Sequence, residues 1–180
     1  MKVTPTALPD VKLILPRVFG DDRGFFFESW NARAFADAGL AAIFVQDNHS
    51  HSRRGVLRGL HYQIEHAQGK LVRVAAGEVY DVVVDLRRSS PTFGRSVGMT
   101  LSAQDGRMLW VPPGFAHGFL TVSECAEFLY KTTDYYYPEH ERTLKWNDEA
   151  LGIAWPLERA PTLAPKDAAG VPLAQAETYA

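Results

Sequence analysis

Gly106-Arg-Met-Leu-Trp-Val-Pro112-Pro-Gly114-Phe-Ala-His117 is the stretch on which the fold turns. Met108–Val111 reads as a short apolar strand. Pro112-Pro113-Gly114 reads as a bend, because consecutive prolines remove ladder donors and glycine admits a tight turn. Gly118–Val122 reads as the next strand, so His117 arrives where the chain re-enters a sheet. The same grammar extends in both directions. Val11–Val18, Arg23–Trp30, Ile43–Ser50, Val56–Gln63, Lys70–Ala75, Val79–Leu86, Ser96–Leu101 and Ala126–Thr133 are rich in Val, Leu, Phe and Tyr. Gly20-Asp21-Asp22, Gly77, Ser89-Ser90-Pro91 and Gln104-Asp105-Gly106 punctuate them. Asn31–Ala38 is the one clear helical segment, with Asn31 as N-cap and Gly39 as stop. A second short helix is expected from Asn147–Asp148 to Gly152. Many short strands with little helix predict an all-β, double-sheet jelly roll with short helices. One domain is expected over 1–180, with the Ala-rich tail after about residue 168 weakly structured.

The 180 residues are enough to bury a core. Nineteen basic residues against twenty-one acidic give a net charge of −2, which argues against general nucleic-acid binding while leaving room for a local anion site. A lone Cys125 excludes an internal disulfide and reads as a small residue near a strand. No signal-like or membrane-length apolar run is present, so a soluble cytoplasmic protein without membrane partners is expected.

Alternation turns every second strand residue inward, so inward polar residues call for an explanation. Gln46 and Asn48, His61 and Gln63, Lys70 and Tyr130 are such residues. Two stretches resemble the paired motifs of the cupin superfamily. Gly55-Val-Leu-Arg-Gly-Leu-His61-Tyr-Gln63 has the spacing G-x5-H-x-(H), and Gly106–His117 has G-x5-P-x-G-x2-H. The resemblance implies a double-stranded β-helix. The ligand set is incomplete, because Gln63 stands where a histidine is expected and Ala67–Gln68 supply no carboxylate. Two histidines, His61 and His117, fall short of the three protein ligands of a usual catalytic metal site, so neither metal nor cofactor is expected.

A metal-free polar pocket of this composition suits proton transfer beside a ketone. An imidazole accepts protons near neutrality. An ammonium such as Lys70 stabilises a developing enolate. A phenol such as Tyr130 donates from another direction, and Asp167, folded over the pocket, would raise the basicity of His61. Each residue alone has an ordinary reading: a core or rim histidine, a loop lysine, a packed tyrosine, a turn aspartate. Only the set favours chemistry.

FGDDRGFFFESW, FVQDNHS, GVLRGLHYQ, QGKLVRV, VPPGFAHGF, EFLYKTTDYY and PEHER, in this order from about Leu8 to Asp167, resemble the dTDP-4-dehydrorhamnose 3,5-epimerase family. That resemblance implies a jelly-roll homodimer that converts dTDP-4-keto-6-deoxyglucose to dTDP-4-keto-rhamnose, a step toward dTDP-L-rhamnose. It implies His61 as the base at C3 and C5, Asp167 as its dyad partner, Tyr130 as the acid on the opposite face and Lys70 by the C4 oxygen. It also implies substrate contacts. Arg23 and Glu28 fall at the nucleotide end, from a segment contributed across the dimer. Gln46 and Asn48 are nucleotide contacts, and Arg58 lies near the diphosphate. His117 lies beside the sugar and Tyr136 stacks on thymine, with Glu141 and Lys166 as further polar contacts.

Two points stay open at the level of sequence. Arg58 and His61 are three apart, so a regular strand would face them oppositely. A bulge at Gly59 would reconcile them. His51 and Arg53-Arg54 look like a variable loop. Rival functions are a single-carbon epimerase on a related sugar nucleotide, a metal-dependent cupin and a non-catalytic sugar-nucleotide-binding module.

Overall fold

A computed structural model describes residues 1–180. The strands are β1 (Lys2–Pro5), β2 (Lys12–Leu15), β3 (Phe19–Asp21), β4 (Gly24–Phe26), β5 (Gln46–Arg53), β6 (Leu57–Gln63), β7 (Lys70–Ala76), β8 (Glu78–Asp85), β9 (Ser96–Ser102), β10 (Met108–Val111), β11 (Phe115–Thr121), β12 (Cys125–Thr132) and β13 (Glu141–Thr143). The α-helices are α1 (Ala32–Asp37) and α2 (Pro165–Ala168), joined by three short 3-10 turns. A six-stranded sheet, ordered β1-β2-β10-β7-β12-β5, faces a five-stranded sheet, ordered β13-β6-β11-β8-β9. All pairings between these strands are antiparallel. This is the expected jelly roll. β3 and β4 form a separate hairpin.

Alternation fills the space between the sheets. Val72, Val74, Leu109 and Phe128 from the six-stranded sheet meet Val79, Val83, Phe115 and Phe119 from the other. β8 is buried on both faces, because its even-numbered valines pack outward under a second cluster with Leu60, Tyr62, Leu144 and Ala176. A third cluster lies on the outer face of the six-stranded sheet, where Phe35 of α1 and Leu40 cover Ile14, Leu71 and Met108. Asn31 caps α1 by accepting from Ala34 N at 3.1 Å.

The tail corrects an expectation. Residues after 168 are anchored rather than loose. Val171 bridges to Leu144 and Tyr179 to Arg87, the Tyr62 hydroxyl donates to Glu177 O at 2.6 Å, and Ala176 is buried. The tail shields the outer face of the five-stranded sheet, and its few apolar residues, Leu173, Ala176 and Tyr179, suffice for that. His51 and Arg53 likewise belong to β5 rather than to a loop, with His51 Nδ1 hydrogen-bonded to Glu127 Oε1 of β12 at 3.1 Å. No helix is long and apolar enough to cross a membrane.

Candidate active site

A cavity of about 410 Å³ opens between the two sheets. Of the thirteen residues assigned from sequence, His61, Lys70, Tyr130, Asp167, Gln46, Asn48, Arg58, His117, Tyr136, Glu141 and Lys166 line it. Arg23 and Glu28 do not. They sit on and beyond the β3–β4 hairpin, where Arg23 pairs with Asp21 and Glu28 accepts from Asn31 Nδ2 at 3.0 Å. That hairpin leaves Phe25 and Phe26 69% and 65% exposed.

Local backbone geometry explains how Arg58 and His61 share one wall. β6 pairs with β11 as His61↔His117 and Arg58↔Phe119, with a register shift between the two pairs. One strand thus carries an extra residue, the bulge expected at Gly59. Gly59 has φ +130°, and a Cβ there would lie 2.5 Å from Gly118 Cα. Gly118 is equally tight, with a Cβ 2.5 Å from Arg58 O. The two glycines let the strands touch backbone to backbone, which turns residues 58 and 61 to the same face. Arg58 is then braced by Ser52, whose hydroxyl accepts from Arg58 Nε at 2.9 Å.

Two imidazoles of the cavity wall, His61 and His117, are each paired with a carboxylate, and of the two carboxylates only Asp167 lines the cavity. His61 Nε2 is hydrogen-bonded to Asp167 Oδ1, carried in by α2 from the far end of the chain. His117 Nε2 sits 2.9 and 3.0 Å from the two oxygens of Asp81 on β8. Burial pulls the His61 imidazole below its ordinary value, and Asp167 pulls it up without cancelling that. Burial pushes the Asp81 carboxyl up against the opposing pull of His117.

Lys70, at the start of β7, is 8% exposed and reaches across to the opposite sheet, its Nζ 3.5 Å from His61 O. Burial brings its ammonium down to about 8. Tyr130 projects from β12 of the six-stranded sheet, so phenol and His61 imidazole come from opposing walls. Burial raises the Tyr130 phenol and keeps it a proton donor at neutral pH, although Lys166 pulls the other way. At the mouth, Glu141 ties together Lys166 Nζ (2.8 and 3.0 Å) and the Tyr136 hydroxyl (3.1 Å). Burial would push the Glu141 carboxyl up, but these partners and His61 hold it below its ordinary value.

Several participants were not anticipated. Phe119 and Phe128 stack with centroids 4.2 Å apart and, with Ser50, Gln68, Gly118 and Ala164, complete the lining. The buried Ser50 hydroxyl has no protein partner. Asp81 could have been found, since a carboxylate inside the apolar run Val79–Val84 must be paired if it is buried. No group of three or more His, Cys, Asp or Glu side chains is arranged to hold a metal ion. His61 and His117 each have a ring nitrogen on a carboxylate, and the Gln63 amide is engaged by loop backbone.

These features agree with comparisons to known proteins. The family model for dTDP-4-dehydrorhamnose 3,5-epimerase matches residues 5–175. A dTDP-4-dehydrorhamnose 3,5-epimerase of Pseudomonas aeruginosa is 64% identical over 180 residues, covering 99% of each chain. One of Salmonella typhimurium is 60% identical, covering 98% of this chain and 97% of its own. The crystal structure of dTDP-6-deoxy-D-glucose-3,5-epimerase from Legionella pneumophila, in complex with dTDP-4-keto-L-rhamnose, superposes with a TM-score of 0.95 at 50% identity, covering 98% of this chain and 94% of that one. A jelly-roll cavity with an imidazole and a phenol on opposing walls, and sequence agreement along nearly the whole chain, lead to one assignment: this chain belongs to the dTDP-4-dehydrorhamnose 3,5-epimerase family.

Proposed function

We propose that this isomerase inverts C3 and C5 of dTDP-4-keto-6-deoxyglucose to give dTDP-4-keto-L-rhamnose, with its own side chains as the only proton carriers. The C4 ketone acidifies the C–H bond on either side of it. Neutral His61 takes the proton from C3, and the electron pair moves into the C3–C4 bond as the C4 oxygen becomes an enolate. Lys70 stabilises that oxyanion. Tyr130 then delivers a proton to the opposite face of C3 as the ketone re-forms. The same cycle at C5 completes the reaction, and exchange with water restores His61 and Tyr130 between steps. Nothing is oxidised or reduced.

The observation that carries this reading is the placement of His61 and Tyr130 on opposing walls of one cavity. Arg58 and Lys166 suit the diphosphate and Tyr136 the thymine, since guanidinium and ammonium groups bind phosphate oxygens and planar rings stack. Incubation with dTDP-4-keto-6-deoxyglucose in D2O, followed by proton NMR, tests it. Deuterium should enter at both C3 and C5. Label at one carbon only would replace this reading with a single-carbon epimerase, and no label would end it.

The pairing of two copies follows from the same reading. Arg23 and Glu28 lie away from their own cavity, on an arm with exposed Phe25 and Phe26, which suits an arm that completes the site of a second copy. Mixing Arg23→Ala and His61→Ala subunits should restore activity, because one site of each hybrid then holds both native groups. Failure of such mixtures to recover any turnover, with hybrids formed, would place the arm in its own site.

A further inference from the structure

Gln63 stands where the cupin pattern would carry a metal-ligating histidine, and the proton-transfer chemistry gives it no task. It ends β6, two residues past His61, and is buried. Its amide makes three hydrogen bonds to nearby backbone. Nε2 donates to His66 O at 2.8 Å and to Tyr135 O at 3.2 Å, and Oε1 accepts from Tyr137 N at 2.9 Å.

The segment 134–137 that Gln63 grips leaves β12 and carries Tyr136 to the cavity mouth. Side chains, rather than a strand ladder, hold its backbone. Tyr135 N donates to Asp134 Oδ1 at 2.8 Å, and Tyr136 N to Gln46 Oε1 at 3.0 Å. Asp134 O accepts from Gln68 Nε2 at 2.9 Å and from Thr132 Oγ1 at 2.8 Å. Gln63 alone supplies the contacts to Tyr135 O and Tyr137 N, on both sides of Tyr136. Gln46 is drawn into the same arrangement, because its Nε2 also donates to Asn48 Oδ1 at 2.9 Å.

We infer that Gln63 is a positioning residue for substrate recognition: its amide clamps the 134–137 loop so that Tyr136 is presented, already ordered, to the nucleotide end of the substrate. A loop ordered before binding loses less freedom when the ligand arrives, so the clamp should appear in affinity rather than in the chemical step. The inference rests on the reading of the cavity mouth as the dTDP site.

The test is a double-mutant cycle with dTDP itself as the binding probe and dTDP-4-keto-6-deoxyglucose as substrate. Gln63→Met keeps the bulk and removes all three hydrogen bonds. It should raise the Kd for dTDP and the KM about tenfold, with kcat within about threefold of wild type. Tyr136→Ala should weaken dTDP at least as much. In the Tyr136→Ala background, Gln63→Met should add about twofold or less, because the clamp acts through that ring. Wild-type dTDP affinity in Gln63→Met would overturn the inference, as would an undiminished tenfold loss in the Tyr136→Ala background. Unchanged dTDP binding in Tyr136→Ala would instead overturn the reading of the mouth, and the clamp with it. If Gln63→Met does not fold, hydrogen exchange on the wild-type protein decides. The Tyr136 and Tyr137 amides should be strongly protected, and exchange at the rate of an open loop would overturn the inference.

Discussion

The His61–Asp167 and His117–Asp81 pairs meet through one strand pairing, and both imidazoles touch one cavity, yet the pairs are built differently. His61 and His117 are direct cross-strand partners. His117 and Asp81 are both buried, on adjacent central strands of the five-stranded sheet. His61 is more open, its side chain 22% exposed, and its carboxylate comes from the short helix α2. A pair closed inside a sheet is a fixed polar strut, whereas an imidazole on the cavity wall, with a carboxylate behind it, can accept and release protons. Chemically similar pairs are thus separated by access and by what carries the carboxylate.

The sharpest way to break this contrast is to remove each imidazole in turn. His61→Ala should lower turnover by about 10³-fold or more, since a general base alone supplies on the order of 10²–10⁴-fold. It should also cost about 1–3 kcal/mol of stability, because Asp167, itself 2% exposed, loses its side-chain partner. His117→Ala should weigh the other way, with turnover down only about tenfold but stability down about 2–4 kcal/mol, because both members of its pair are buried within the sheet and Asp81 is left without its partner. Turnover in D2O and urea melts of both variants check this. A His117→Ala protein that melts like wild type but exchanges no deuterium would invert the roles.

Lys70 sharpens the comparison from the charge side. Lys70→Met should cost about 10²-fold in turnover through the lost oxyanion partner. It should also stabilise the protein by about 1–3 kcal/mol at pH 7, because burial disfavours the ammonium. The sign is fixed by the depressed value, which burial brings to about 8 from 10.5. Between those values the unfolded chain binds more protons, so wild-type stability should rise with pH across that window, and the rise should be absent in Lys70→Met. Activity should fall over the same range, as the cation is lost above about pH 8.

Tyr130→Phe acts on the opposite wall and should have a smaller effect, about 10–10²-fold on product formation. Loss of deuterium entry at the first carbon should be milder, because the proposed abstraction by His61 does not need the phenol. Equal loss of exchange and product, measured in one NMR time course, would show that Tyr130 is not the acid.

Much of this design can be read from residue order, and what cannot has identifiable causes. Met108–Val111 is a strand with the expected bounds, because Gly106 and Pro112 bracket it. Asn31 caps α1, and Asp148 and Gly152 bracket a 3-10 turn as expected. The start of β11 at Phe115 rather than Gly118 was hidden, because the bend ends at Gly114 and the strand resumes at once. β1, β3 and β13 are three or four residues long, too short to show a period; β13 pairs only with β6. Arg23–Trp30 reads as one strand from its phenylalanines, but only Gly24–Phe26 pairs, and its aromatic faces are exposed. Within the site, His61, Gln63, Lys70 and Tyr130 were visible as inward polar residues, whereas their partners were not: His117 beside Asp81, and Tyr135 and Tyr137 on the Gln63 amide, lie far away in sequence, which spacing does not reveal.

Asp167 gives the mildest and most discriminating comparison. Its carboxylate raises the proton affinity of His61 against the larger effect of burial. Asp167→Asn removes that charge while preserving shape, so the His61 value should fall further. His61 must be neutral to accept a proton, and the acid limb of the kcat/KM profile should therefore move to lower pH, not higher. Turnover at pH 7 should still drop about tenfold, because a less basic imidazole is a weaker proton acceptor and loses its fixed orientation. The corresponding Asp81→Asn change should leave the acid limb in place if His61 is the base, as proposed. An acid limb that moves with Asp81→Asn and stays with Asp167→Asn would assign the base to His117 and reverse the distinction between the two pairs.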